Sequence, residues 1–330
     1  MIVTVITPSY NQARFLEYSI QSVLAQRDPG RGEFQVEYFV VDGGSTDGSL
    51  DIIRKYEPEL AWWVSEPDAG QADAINKGFQ RAQGELVAWL NSDDLYLPGS
   101  VAEAVHVMQS NPHLGMVFGD AIAIDQNGEI LNRWKFGDWG LRDLMRFRVI
   151  CQPAVFIRKS VLEDAGFLDR SYHFMLDHKL WLQIAQIAPI QHVSSIWAAA
   201  RSHPGAKNIA SAQGFSQETL RLLEWMKTHP RLSSEVENHR REIEGGVYRL
   251  SARYLLDGGF PRLALQNYGL ALWYSPSFAI KHWHRMVYAI LLLLGVQRLV
   301  DWFFTFQRRR RKSRLNLQGL TDWPGLSALH

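Results

Sequence analysis

The chain has a single cysteine, Cys151, among its 330 residues. It can form no intramolecular disulfide, so nothing in it asks for an oxidising compartment. It also lacks a charge excess: 35 Lys and Arg stand against 34 Asp and Glu, a formal net charge of +1. That balance gives no reason to expect a nucleic-acid partner. No glycine-rich phosphate loop follows the first apolar run, where the sequence reads Thr7-Pro-Ser-Tyr-Asn11; this speaks against a sugar nucleotidyltransferase. Residues 2–7 enter strand pattern with no basic n-region or cleavage site before them, so no signal peptide is expected and the expected location is cytoplasmic. The apolar run 286–296 is shorter than the ~20 residues that a membrane span needs, and Gln297, Arg298 and Asp301 interrupt its continuation.

What is present is the composition of a globular protein, 46% hydrophobic and 21% charged, long enough for one large core and an appendage. Short apolar runs at 2–7, 38–41, 60–65 and 85–90 alternate with helical periodicity, as βαβ units of a mostly parallel sheet do. Each run stops at a polar cluster. The first carries Thr7, Tyr10 and Asn11, the second Asp42, the third Glu66, Asp68 and Gln71, and the fourth Asn91, Ser92, Asp93 and Asp94. Right-handed crossovers bring all four ends to one edge of the sheet, where an open α/β fold places its ligand. Grouped carboxylates there suit Mg²⁺ or Mn²⁺, with a substrate diphosphate completing the shell. Asn-Ser-Asp-Asp is also an ordinary turn, Asp42 an ordinary helix-capping residue, and Asp73 an ordinary first-turn aspartate.

The strings Val5-Ile-Thr-Pro-Ser-Tyr-Asn11, Val40-Val-Asp-Gly-Gly-Ser-Thr-Asp-Gly-Ser49, Glu66-Pro-Asp-Ala-Gly-Gln-Ala-Asp-Ala-Ile-Asn-Lys-Gly78 and Trp89-Leu-Asn-Ser-Asp-Asp94 resemble the GT-A fold glycosyltransferases, family 2 in particular, over residues 2–203. The resemblance implies a nucleotide-diphospho-sugar transferase fold and an inverting transfer from a nucleotide-sugar donor, a UDP-sugar favoured. The acceptor would be a saccharide or lipid-linked saccharide, in envelope, lipopolysaccharide or exopolysaccharide assembly. It implies nucleotide contacts from Thr7, Tyr10, Asn11, Asp42, Asp68, Lys77 and Ser92, with Asp73 and Asp94 toward the sugar and diphosphate. Asp93 would hold the metal with help from Asp94 and His203, and Asp177 would be the general base. Two departures stand out: Asn91 replaces the first acid of an Asp-x-Asp motif, and Leu176 and Lys179 replace two acids around Asp177. Arg201 and Lys207 are candidate partners of the leaving phosphate through charge-assisted bonds. A non-catalytic carbohydrate- or nucleotide-binding protein of the same fold remains the alternative.

Further along, helix is expected at 101–110, a strand at 116–118, and a hairpin over 122–133 turning at Asp125-Gln-Asn-Gly128. Residues 134–148 read as an irregular acceptor-side flap, 150–157 and 191–196 as strands. Cys151 reads as a small core residue. The expected division is a catalytic domain over 1–210, its halves 1–98 and 99–210, followed by a helical extension over 211–330. Within that extension, 254–276 resembles one tetratricopeptide-type hairpin. Residues 278–312 suit either an in-plane helix on an anionic membrane surface, given Arg308-Arg-Arg-Arg-Lys312, or a helix docked on the protein.

Overall fold

The structure, a computed structural model, describes residues 1–27, 33–203, 205, 207 and 211–296. These divide into two compact units, one of residues 1–140 and 150–202, the other of 141–149 and 203–296. The segment Leu141–Val149, expected in the acceptor half, therefore groups with the C-terminal helices.

The first unit is built on one sheet. Strands β1 (Ile2–Ser9), β2 (Gln35–Asp42), β3 (Trp62–Ser65) and β4 (Leu86–Trp89) form its first half, in the order β3-β2-β1-β4 and all parallel. Helices α1 (Ala13–Leu24), α2 (Ser49–Tyr56) and α3 (Gln71–Arg81) make the crossovers. The central strands are mostly apolar because helices cover both faces. Val3, Val5, Val40, Leu86 and Ala88 are buried with Leu16, Ile20 and Ile53 of the helices. Because β2 and β3 lie on one side of β1 and β4 on the other, the strand order reverses between β1 and β4. A crevice opens at such a reversal, so Tyr10 and Asn91–Asp94 face a natural ligand site.

The second half of the sheet is mixed. After the two-residue β5 (Leu95–Tyr96) and α4 (Ser100–Ser110) come β6 (Met116–Ile124), β7 (Ile130–Trp134), β8 (Val155–Arg158) and β9 (Ile190–Arg201). The sheet continues β4-β8-β6-β9-β5, with β7 paired to β6. Strand β6 runs parallel to β9 and antiparallel to β7 and β8. The expected hairpin forms, its turn closed by the Gly128 N–H donating to Asp125 O at 3.1 Å. Strand β6 passes without a break through Gly119-Asp120, where two elements were expected, because all nine of its residues are buried and paired. Strand β5 went unseen in the sequence, since two residues carry no periodicity.

In the second unit, α5 (Leu141–Met145) precedes α8 (Ala212–Thr228), α9 (Ser233–Asn238), α10 (Arg240–Asp257), α11 (Pro261–Tyr274), the short α12 (Pro276–Ala279) and α13 (Trp283–Leu293). Helices α6 (Lys159–Ala165) and α7 (Leu176–Ala185) belong to the first unit. Helices α10 and α11 form the expected single hairpin, joined at Gly258-Gly259 with Pro261 opening the second helix. Gly246 sits mid-helix because a Cβ there would stand 2.1 Å from Arg146 O. Its absence lets residues 141–149 lie against α10, where Arg249 donates to Phe147 O at 2.7 Å. Among the described residues no helix is long and apolar enough to cross a membrane. Residues 297–312 of the expected surface helix lie outside the described residues.

Candidate active site

The loops after β1 and β2 are tied into one another. Asp42, with no solvent exposure, accepts from the Gly44 and Ser45 N–H groups at 3.1 and 2.8 Å and from the Ser65 hydroxyl at 2.7 Å. The Asn11 N–H donates to Ser45 Oγ at 2.8 Å, and the Asn11 side-chain oxygen accepts from the Thr46 N–H at 2.9 Å. Asp47 accepts from the Ala13 N–H at 2.8 Å, so a residue of the second loop caps the first helix. A Cβ at Gly43 would lie 2.7 Å from Asp68 Oδ2 and 3.3 Å from the Tyr10 ring. Tyr10 and Asp68 therefore converge over its backbone. Tyr10 is 63% exposed, an open aromatic face at the crevice.

The expected nucleotide contacts thus separate. Tyr10 and Asp68 present side chains at the crevice, whereas Asn11 and Asp42 hold loop geometry. The Thr7 hydroxyl is buried and bonded to the Tyr38 hydroxyl at 2.9 Å. Lys77 pairs with Glu66 at 2.8 Å and Asp73 at 3.6 Å, and the Glu66 hydrogen bond raises its pKa. Asp73 is buried, accepts from the Ala69 N–H at 3.1 Å and meets Arg170 at 3.0 Å. The Ala69 N–H holds its pKa low against burial, with Arg170 and Lys77 adding to the effect. Arg170 had no signal in the sequence, since it lies far along the chain from Asp73.

After β4 the backbone turns at Asn91–Asp94, and the two aspartates receive different settings. Ser92 and Asp94 are buried, while Asp93 is half-buried. Asp94 accepts from the Arg201 N–H at 2.9 Å and from the Asn91 amide at 3.2 Å. Burial pushes its carboxyl well above the ordinary range, and the neighbouring Asp93 charge adds to the push. Asn91 also accepts from Gln71 at 2.7 Å and donates to Gln152 at 3.2 Å, and Gln152 donates to Trp89 O at 2.7 Å. An amide donates and accepts at once, so Asn91 joins groups that a carboxylate at this position would have repelled or left unpaired. Arg201 is 5% exposed and donates to Asp93 O at 2.9 Å and Asp125 O at 3.2 Å. Its guanidinium also lies 4.8 Å from the Phe15 ring centroid. It thereby ties the Asp93 turn to the Asp125 turn.

Asp177 stands half-buried in the first turn of α7, its carboxylate accepting from the His178 N–H at 2.7 Å. Its helix is locked to the Asp93 turn by ring packing. Trp181 of α7 stacks on Trp89, the last residue of β4, at 5.3 Å, and Phe79 meets Trp89 edge-on at 5.8 Å. Burial pushes the Cys151 thiol well up, helped by the Asp94 and Asp177 carboxylates. Cys151 is therefore within electrostatic reach of both, and no thiolate nucleophile. Lys179 is buried and ion-paired with Asp169.

Among the described residues no three His, Cys, Asp or Glu side chains gather to hold a metal by themselves. His203 and Lys207 fall in the second unit, His203 half-buried and Lys207 exposed. The turn nonetheless suits a hard divalent cation: the half-buried Asp93 carboxylate offers oxygen donors, and a cation there would offset its repulsion of Asp94.

A parallel half-sheet with a reversal at its centre, aromatic and acidic side chains at the crevice and an acid-bearing helix beyond define a GT-A nucleotide-sugar transferase fold. The chain belongs to the family 2 glycosyltransferases: the Glycosyl transferase family 2 model matches residues 4–165. An uncharacterised glycosyltransferase of Mycobacterium tuberculosis is 31% identical over 201 residues, covering 56% of this chain and 69% of that protein. Two solved structures share the fold. TarS 1–349 of S. aureus in complex with UDP-GlcNAc superposes with a TM-score of 0.57 at 17% identity, over 93% of this chain and 92% of that one. The mannosyltransferase PcManGT of Pyrobaculum calidifontis, in complex with GDP-Man and Mn²⁺, gives 0.54 at 23% identity, over 91% and 87%.

Proposed function

We propose that this glycosyltransferase moves a sugar, with inversion, from a UDP-sugar to an acceptor hydroxyl. The observation that carries the reading is the pair after β4: Asp94 is buried and bonded to the Arg201 N–H, its neighbour Asp93 is half-buried, and the Asp177 helix is held to the end of β4 by the Trp89–Trp181 stack. Tyr10 and Asp68 would take the nucleoside, the Tyr10 ring offering a stacking face and the Asp68 carboxylate accepting from N–H or O–H groups. Asp93 would hold Mn²⁺ or Mg²⁺, with Asp94 behind it as a support and no direct ligand. A bound divalent cation supplies charge neutralisation for the diphosphate.

Asp177 accepts the proton of the acceptor hydroxyl as that oxygen bonds to the anomeric carbon. The bond from that carbon to the diphosphate oxygen breaks, the electron pair leaves with the nucleoside diphosphate, and attack from the opposite face inverts the centre. The solved neighbours carry UDP-GlcNAc and GDP-Man, and family membership supports a nucleotide-sugar donor over a non-catalytic binding role. Envelope or exopolysaccharide assembly is the setting we favour, with a saccharide or lipid-linked saccharide as acceptor. Calorimetric titration of UDP, GDP and dTDP, each with Mn²⁺ and with EDTA, tests the donor. Binding of UDP only with metal is expected; binding of GDP alone would overturn the UDP assignment, and metal-independent binding would remove the role given to Asp93.

A further inference from the structure

The second unit carries an apolar surface that its own fold does not use. Helix α13 has two apolar faces. Ala289, Met286, Tyr288 and Leu292 pack with Ala252, Leu255 and Leu256 of α10 and Ala264 and Tyr268 of α11. On the other side Trp283, Val287, Ile290 and Leu294, spaced by four, three and four, form one stripe, and all four are exposed. Trp283 is 59% and Leu294 69% exposed. Helix α11 repeats the arrangement, with Ala264, Tyr268 and Ala271 buried and Leu263, Leu270 and Trp273 exposed, the last at 77%. A patch of this kind marks an interaction surface.

Charge decides between occupants. Residues 260–330 contain ten Lys and Arg and two Asp and Glu, and 260–300 contain no carboxylate side chain at all. The near-neutral chain is therefore segregated, its first 259 residues holding 25 basic and 32 acidic side chains. Arg285 turns inward to Asp257 at 2.7 Å, while Lys281 and Arg262 are exposed beside the stripes. The sequence beyond the described residues adds Trp302, Phe303, Phe304, Phe306 and the basic run 308–312. A second copy on this face would bring two basic segments together, whereas an anionic surface complements them.

We propose that the exposed faces of α11 and α13 dock the protein on an anionic phospholipid bilayer, lying in the plane of the interface. Apolar side chains with two tryptophans enter the headgroup boundary while the basic residues meet lipid phosphates. Eleven residues of α13 are too few to span a bilayer, and in-plane docking asks for no more.

The test is flotation of the full chain with phosphatidylcholine vesicles, with and without phosphatidylglycerol. Binding to the phosphatidylglycerol vesicles is expected, weakened by salt and about tenfold or more stronger than to phosphatidylcholine alone. The double variant Trp283→Ser, Ile290→Ser should lose binding by about tenfold or more, since two exposed apolar side chains no longer leave water. Its thermal transition and nucleotide binding should stay unchanged. Flotation unchanged in the variant would overturn the proposal. So would a wild type that fails to float: a shift of the variant from dimer to monomer would then assign the face to a second copy, and a lowered melting temperature to the protein's own residues.

Discussion

At the strand ends of the first unit carboxylates turn inward and are hydrogen-bonded, whereas on α11 and α13 hydrocarbon turns outward and is left bare. Asp42, Asp73 and Asp94 are buried among N–H, hydroxyl and cationic partners, while Trp273 and Trp283 stand in solvent. Both are departures from ordinary burial, and they have different causes. A buried carboxylate persists because a whole set of donors compensates its desolvation. An exposed apolar stripe persists only where something other than folding keeps it. The lesson is that an acid's presence at a strand end does not make it a ligand. What matters is how deeply its oxygens are buried and which groups hold them.

The contrast between buried and half-buried acids can be broken by mutation. The largest effect is expected from Asp177→Asn, which should lower the transfer rate by about 10²–10⁴-fold, as for loss of a general base, while leaving nucleotide affinity within a few-fold. Single-turnover transfer alongside calorimetry separates the two; parallel loss of binding would make Asp177 structural. Asp93→Ala should weaken Mn²⁺-dependent nucleotide binding by about 100-fold, on the scale of losing a metal ligand. In EDTA neither the variant nor the wild type should bind.

Arg201→Ala should destabilise the first unit by about 3 kcal/mol, because several buried carbonyl groups lose their donor at once. Chemical denaturation reads this, and a variant as stable as wild type would return Arg201 to the ligand side. A smaller effect is set by pH. Burial raises the Asp169 carboxyl, but the Lys179 ammonium and the Ser171 N–H outweigh it and hold the pKa at about 2. A pKa depressed on folding stabilises above the unfolded value of ~3.9 and ceases to do so as pH falls through about 2. One-third exposure screens the pair, so the contribution is about 1 kcal/mol. The stability gap between wild type and Asp169→Asn should narrow by about half from pH 6 to pH 3. Least of all, Cys151→Ala should leave transfer within about twofold, since a thiol held protonated by burial supplies no nucleophile.

Much of the first half-sheet was legible in the sequence because its strands are buried on both faces and its loops are punctuated by Gly, Ser, Thr and Asp. β-Branched runs marked the cores of β1 to β4, and helical periodicity between them announced the crossovers α1 to α3. The second half was less legible. Its mixed pairing depends on contacts between distant segments, such as β6 with β9, which local pattern does not encode.

The sequence by itself determined the parallel half-sheet, the crevice at its reversal and the set of acids from which a site must be drawn. All of these follow from local pattern and chain handedness. Only the tertiary structure decided how those acids divide. Asp94 was claimed by an N–H from Arg201, over a hundred residues away, and Asp73 by Arg170. Thr7 was taken by Tyr38, and the Asp177 helix was fixed by a tryptophan pair. Desolvation and hydrogen bonding are properties of surroundings, and for these residues the surroundings come from elsewhere in the chain.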